Sequence, residues 1–394
     1  MSPISENASI DLDADHDDLR GAVRALCTKY PGEYWRAKDR ERAYPTEFVT
    51  ELTKAGFLAC LIPEEFGGSG LGIGAAAAIL EEIHSTGGNG GACHAQMYTM
   101  GTVLKHGSAA QKQSYLPKIA TGELRLQAFG VTEPSTGSDT TQLRTTAERM
   151  GNGYVVNGQK VWISRAEHSD LLLLLARTTP KEKVAKRTDG LSVFLVEMKD
   201  AIGHGLTIRP IRTMINHATT ELFFDNLQIP ASTLVGEEGK GFSYILDGMN
   251  AERILIAAEA IGDGRWLLNK SVEYANQRHV FGRPIGQNQG VQFPLARAYA
   301  EMEAADMIVR RAAALFAAGR DCGPDANMAK MLASEAAWKA AEAALQTHGG
   351  FGFAREYDIE RKWRECRLYQ VAPISTNLIL AYVAQHVLGL PRSY

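Results

Sequence analysis

An acid stands inside an apolar helical stripe in residues 241–262, GFSYILDGMNAERILIAAEAIG. Ile245, Met249, Glu252 and Ile256 follow one another at spacings of four, three and four, so they share one face. A carboxylate there loses hydration and its ionised form becomes costlier, which moves its pKa toward the range of a general base. The same spacing also allows a surface-facing glutamate beside Arg253.

Two other segments carry chemistry of a different kind. Residues 129–139, FGVTEPSTGSD, pack hydroxyls, a proline and a glycine into a turn leaving a strand. That composition presents backbone N–H groups and small donors to an anionic or heteroaromatic ligand, or is simply a polar turn. Residues 157–164, NGQKVWIS, set Trp162 and Ser164 on one face of a strand. An indole beside a hydroxyl suits a flat, hydrogen-bonding ring system, and a core tryptophan is the alternative. The glycine run at 66–74 lacks the preceding strand and βαβ setting of a dinucleotide loop and reads as a connector.

The chain has 394 residues, 45% hydrophobic and 22% charged, enough for two or three domains. Its net charge of −3 gives no electrostatic footprint for nucleic acid. No apolar run reaches the roughly 18 residues of a membrane span. The acidic start, MSPISENASIDLDADHDDLR, reads as neither a secretory nor a mitochondrial leader. Five scattered cysteines without CxxC spacing are expected to be reduced thiols in a cytoplasmic protein.

Three textures position these segments. Helical patterns with capping residues and glycine stops fill residues 1–123. Short β-branched or apolar runs fill 124–236, with hairpin turns expected at Asn152-Gly153 and Asn157-Gly158 and an exposed loop at 180–190. Long helices return over 237–394. Leu295, Tyr299, Met302, Ala305, Val309, Ala312 and Phe316 keep one stripe, and a last helix is expected near 375–388. The expected architecture is α+β: an N-terminal all-α domain, a middle β-barrel or sandwich, and a C-terminal four-helix bundle.

Six ordered motifs resemble the acyl-CoA dehydrogenase family over nearly the whole length. They are PEEFGGSGLG (63–72), FGVTEPSTGSD (129–139), NGQKVWIS (157–164), NAERILIAAEAIG (250–262), RHVFGRPIGQNQGVQ (278–292) and LQTHGGFGFAREYDIERKWRECRLYQ (345–370). The resemblance implies FAD as cofactor. Val131, Thr132, Ser138, Trp162 and Ser164 match positions that hold it, with Ser375 and Asn377 also at cofactor positions. Arg278, Phe281, Gln289, Gln346 and Gly350 match positions reaching the FAD of a neighbouring subunit, which implies an oligomer, usually a dimer of dimers.

In many members the catalytic glutamate lies just before the last helix, where this chain has Ala372, Pro373, Ile374 and Ser375. In the isovaleryl and long-chain branches it sits at the place of Glu252. The resemblance thus implies that Glu252 takes the α proton of an acyl-CoA while the β hydrogen leaves as hydride to flavin N5, giving a trans-2-enoyl-CoA. Electron-transferring flavoprotein is the implied acceptor. Arg253 and Ser138 match positions near the substrate, and His94 and Tyr98 are candidates for the pocket floor. The position of Pro373 donates an N–H to the thioester carbonyl in the family, and proline has none. That departure leaves open an acyl-CoA oxidase, desulfinase or flavin monooxygenase outcome, or a scaffold that only binds CoA esters.

Overall fold

The computed structural model describes residues 16–392, so the acidic leader reading for residues 1–15 lies outside the described residues. The chain forms two compact units. One comprises Tyr34–Leu71 and Gly90–Met249, the other Met1–Glu33, Gly72–Asn89 and Asn250–Tyr394.

In the first of these units, helices Thr46–Lys54, Gly91–His106 and Ala109–Thr121 precede a sheet of eight strands. These are β1 (Leu126–Gly130), β2 (Thr146–Met150), β3 (Gly153–Ser164), β4 (Leu171–Arg177), β5 (Leu191–Glu197), β6 (Leu206–Pro210), β7 (Thr219–Pro230) and β8 (Leu234–Val235). Their order is β6-β7-β3-β2-β4-β5-β8, with β1 parallel to β4. The leucine run of β4 is explained by burial on both faces. Leu171, Leu173 and Leu175 join a core with Met100, Leu116 and Val193, while Leu172 and Leu174 join a second core with Val156, Leu222 and Phe224. The sheet folds over this second core, so Tyr154 of β3 meets Phe194 of β5, with two strands between them in the order, at 4.9 Å between rings. The sequence alternation breaks twice in β3. Asn157-Gly158 is a bulge inside the strand and not the expected hairpin turn. Gly158 has φ +145 and a Cβ there would lie 2.7 Å from the Thr145 Cα, so a side chain has no room. Trp162 adopts φ +62 at the second irregularity.

The other unit is helical. Asp17–Cys27 and Ile73–Ser85 accompany the long helix Gly241–Gln277 from Asn250 onward, with Gln289–Ala317, Gly323–His348, Ile359–Val371 and Thr376–Tyr382. Tyr299, expected in the apolar stripe, is 58% exposed, and Ala298 is buried instead. The pattern of small and large residues there admits a rotation of about 100° per residue. A polar network at the centre joins four segments. Asp263 accepts from Lys362 Nζ at 2.6 Å, from Tyr369 Oη at 2.7 Å, and lies 2.9 Å from His84 Nδ1. Lys362 also donates to the Gly88 carbonyl and Arg361 to that of Gly87. Burial disfavours the Asp263 charge, but Lys362 and His84 outweigh it and hold its pKa well below the usual range. All five cysteines are buried and free, and no described helix is long and apolar enough to cross a membrane.

Candidate active site

In the β-containing unit the motif segments converge through buried polar anchors. Glu133, 4% exposed, accepts from Arg144 N at 2.6 Å and Thr145 N at 2.9 Å. Lys160, fully buried on β3, donates to Glu133 Oε1 at 2.8 Å and to the Val131 carbonyl at 3.0 Å. Val161 N donates to Thr132 O at 2.9 Å. The strand exit at Val131 and Thr132 is thus fixed against β3, and Gly137 and Ser138 stand exposed beyond it. Burial pushes the Lys160 amine down to about 8. Burial also opposes the Glu133 carboxylate, but the Lys160 charge and the donors outweigh that, leaving its pKa below the usual value.

Trp162 is 59% exposed because its positive φ turns the indole out of the strand, and Ser164 is half-buried, paired with Thr219. His94 and Tyr98 lie one turn apart on helix Gly91–His106. Their rings meet edge to face at 5.2 Å, and Tyr98 meets Phe129 of β1 at 5.6 Å. The expected pocket-floor pair therefore packs beside the 129–139 segment.

Sequence reasoning passed over Lys160, Glu133 and Arg165. A lysine between inward-facing strand positions was the available signal for the first. Arg165 has φ +58, is 5% exposed and donates from Nη2 to His217 Nδ1 at 3.2 Å. Burial, then Arg165 and His94, hold the His217 pKa well below its usual value, which leaves it neutral and able to accept.

In the helical unit Glu252 is 8% exposed, as its stripe implies, but its surroundings are not purely apolar. Arg253 and Lys330 both act electrostatically on it. Arg253 Nη1 donates to Asn250 Oδ1 at 2.8 Å, while its Nε is buried without a hydrogen-bond partner. Before the last helix, Ala372 N is taken by Leu368 O at 2.9 Å, and Pro373 has no N–H. Ser375 caps helix Thr376–Tyr382 through Oγ, and Asn377 is exposed.

Arg278, Phe281, Gln289, Gln346 and Gly350 gather far from Glu252. Arg278 follows the end of the long helix, and 25 residues from Glu252 to Gln277 span about 38 Å at 1.5 Å each. Its guanidinium lies 5.8 Å from the ring of Phe351, next to Gly350. Phe281, at the turn between the short strands His279–Val280 and Arg283–Pro284, is 100% exposed. Gln289 opens helix Gln289–Ala317, and Gln346 lies in the last turn of Gly323–His348.

The chain thus runs from helices through a folded β sheet to long helices, with a donor-rich loop on the sheet and a buried acid on the long helix. Residues 13–123, 128–227 and 239–388 match the N-terminal, middle and C-terminal domains of acyl-CoA dehydrogenase. The chain is 37% identical over 379 residues to acyl-CoA dehydrogenase FadE12 of Mycobacterium tuberculosis, covering 95% of this chain and 96% of that protein. It is similar to the glutaryl-coenzyme A dehydrogenase glutaryl-CoA complex, with TM-score 0.88 and 33% identity over 99% of this chain and 98% of that one. It also resembles the FAD complex of PigA, with TM-score 0.87 and 27% identity over 96% and 98%. The chain belongs to the acyl-CoA dehydrogenase family, whose members are flavin-dependent oxidoreductases.

Proposed function

We propose that this protein oxidises an acyl-CoA thioester to the trans-2-enoyl-CoA with Glu252 as the base. The observation that carries this reading is a buried glutamate on the long helix of a chain whose 372–375 segment has no acid. The residues present fit a flavin dinucleotide. The loop at 131–138 is pinned from below and open above, and an exposed indole, that of Trp162, stands on β3. Val131, Thr132, Ser138, Trp162 and Ser164 would hold FAD in this reading, and Ser375 and Asn377 are further cofactor residues. Bound there, FAD supplies a two-electron acceptor for the β hydrogen.

Glu252 takes the α proton and retains it on its carboxyl group. Removing both hydrogens in concert requires them to leave from opposite faces of the Cα–Cβ bond, so the base must be held rigidly. The helix does this with a backbone ladder and a side chain packed to 8% exposure. Arg253 and Ser138 face the CoA thioester substrate in this reading, and His94 and Tyr98 close the acyl end. Because Ala372 and Pro373 offer no free N–H, polarisation of the thioester carbonyl comes from other donors.

The separation of about 38 Å between Glu252 and the Arg278 group supports a second role for the latter. Arg278, Phe281, Gln289, Gln346 and Gly350 serve the FAD of a neighbouring subunit in a homotetramer built as a dimer of dimers. Electron-transferring flavoprotein receives the electrons, and the protein works in the cytoplasm. The test is a panel of straight, branched and aromatic acyl-CoAs with an artificial acceptor. A 2-enoyl-CoA product is expected, and stoichiometric hydrogen peroxide or another product would sink the reading.

A further inference from the structure

Just past the end of the long helix, Arg278 continues its last turn. Its amide donates to the Tyr274 carbonyl at 2.8 Å, so the two side chains lie on one face. Arg278 is exposed, and among the described residues the contact of its guanidinium is the ring of Phe351, 5.8 Å away. That ring is itself held. It meets Tyr357 at 5.3 Å and Tyr274 at 6.4 Å between centroids, and Tyr274 stacks on His348 at 4.3 Å and 25°. His348, 4% exposed, donates from Nδ1 to the Ala344 carbonyl at 2.8 Å, and Tyr357 stands edge to face against both Tyr274 and His348. Burial lowers the His348 pKa, so the base of the cluster is an uncharged ring at neutral pH. Four rings from the long helix, helix Gly323–His348 and the turns after it thus form a platform under one cation. Beside it, Gly350 is exposed with no atom within 4 Å of where its Cβ would stand, which leaves that space open.

We propose that Phe351 is a positioning residue for Arg278, its ring face holding the guanidinium toward the dinucleotide of a neighbouring subunit. This rests on the reading that the Arg278 group serves that FAD. An exposed arginine spreads over many rotamers, and fixing one of them costs entropy. The negative face of an aromatic ring attracts a cation within about 6 Å, and stacking there engages a guanidinium without consuming its N–H donors. The ring therefore sets the direction of Arg278 and leaves its fork for phosphate oxygens, which it can contact in pairs. Tyr274, His348 and Tyr357 act through Phe351 by fixing the plane of its ring. A cation arranged before the cofactor arrives loses less freedom on binding, so loss of the ring weakens cofactor retention and leaves the fold in place.

FAD release is followed by flavin fluorescence as the holoenzyme is diluted. Phe351→Leu keeps an apolar side chain at a position 42% exposed and removes the ring face. It should loosen FAD about two- to fivefold, the size of an exposed cation–π contact, and Phe351→Tyr should retain FAD as the wild type does. In an Arg278→Met background, Phe351→Leu should loosen FAD no further, because the ring then has no cation to hold. Wild-type retention in Phe351→Leu, or the same loss in both backgrounds, overturns the proposal. Pentafluorophenylalanine in place of Phe351 keeps the shape of the ring and reverses the charge of its face. It should loosen FAD as Phe351→Leu does, and wild-type retention with it overturns the proposal even should Phe351→Leu fail to fold. Arg278→Met separates this inference from the reading beneath it. If that variant holds FAD as tightly as the wild type, the assignment of the Arg278 group to a cofactor has failed and the proposal with it. If it releases FAD while both ring variants retain it, the assignment stands and the role of Phe351 falls.

Discussion

Glu252→Gln preserves the shape of the side chain and removes its capacity to take a proton. Positioned proton transfer contributes about 10²–10⁴-fold in rate. The variant should therefore bind FAD normally and reduce it at least about 100-fold more slowly with its best acyl-CoA in stopped flow; reduction at the wild-type rate would discard the base. Neighbouring Arg253 is half-buried with a buried, unpartnered Nε, so it has donor capacity for a ligand that the acid alone lacks. At this scale the sequence located the acid by its spacing but misjudged its company. Periodicity reports which residues share a face on one helix, and says nothing of the charges that packing brings to that face.

At the scale of elements, β3 holds the loop at 131–139 through one buried ion pair. Lys160→Met keeps the stem and deletes the charge, leaving Glu133 buried and unpaired. Breaking such a pair costs about 3–5 kcal/mol. Chemical denaturation should show that loss, and the purified variant should carry substoichiometric FAD. The pH dependence has a definite sign. The native Lys160 amine lies at about 8, below the ordinary value near about 10.4, so between those limits the unfolded chain binds more protons. This group's contribution to stability therefore rises with pH across that window, and the wild type should gain on Lys160→Met as pH is raised from about 8 to 10. Strand propensity and turn composition showed the β region plainly. They placed a hairpin at Asn157-Gly158 where the strand runs on through a bulge, because an Asn-Gly pair satisfies either geometry and cross-strand pairing with β7 chooses between them.

At the scale of the whole molecule, large apolar side chains stay outside the single chain. Phe281, Phe353, Leu388 and Phe293 are 100%, 73%, 67% and 61% exposed. Light scattering should give four times 42.9 kDa, about 172 kDa. Phe281→Ala removes an aromatic that its own fold does not bury, so it should leave monomer secondary structure intact while weakening FAD retention and the tetramer. Retention equal to the wild type would remove Phe281 from the neighbouring site.

The sequence by itself determined the order of helical, β and helical regions, the ordered motifs and the acid at 252, because these follow from local periodicity and residue identity along one stretch of chain. Tertiary structure decided which buried charges are matched. Glu133 finds Lys160 and Asp263 finds Lys362, each pair separated in sequence and joined only when burial makes an unpartnered charge too costly to keep.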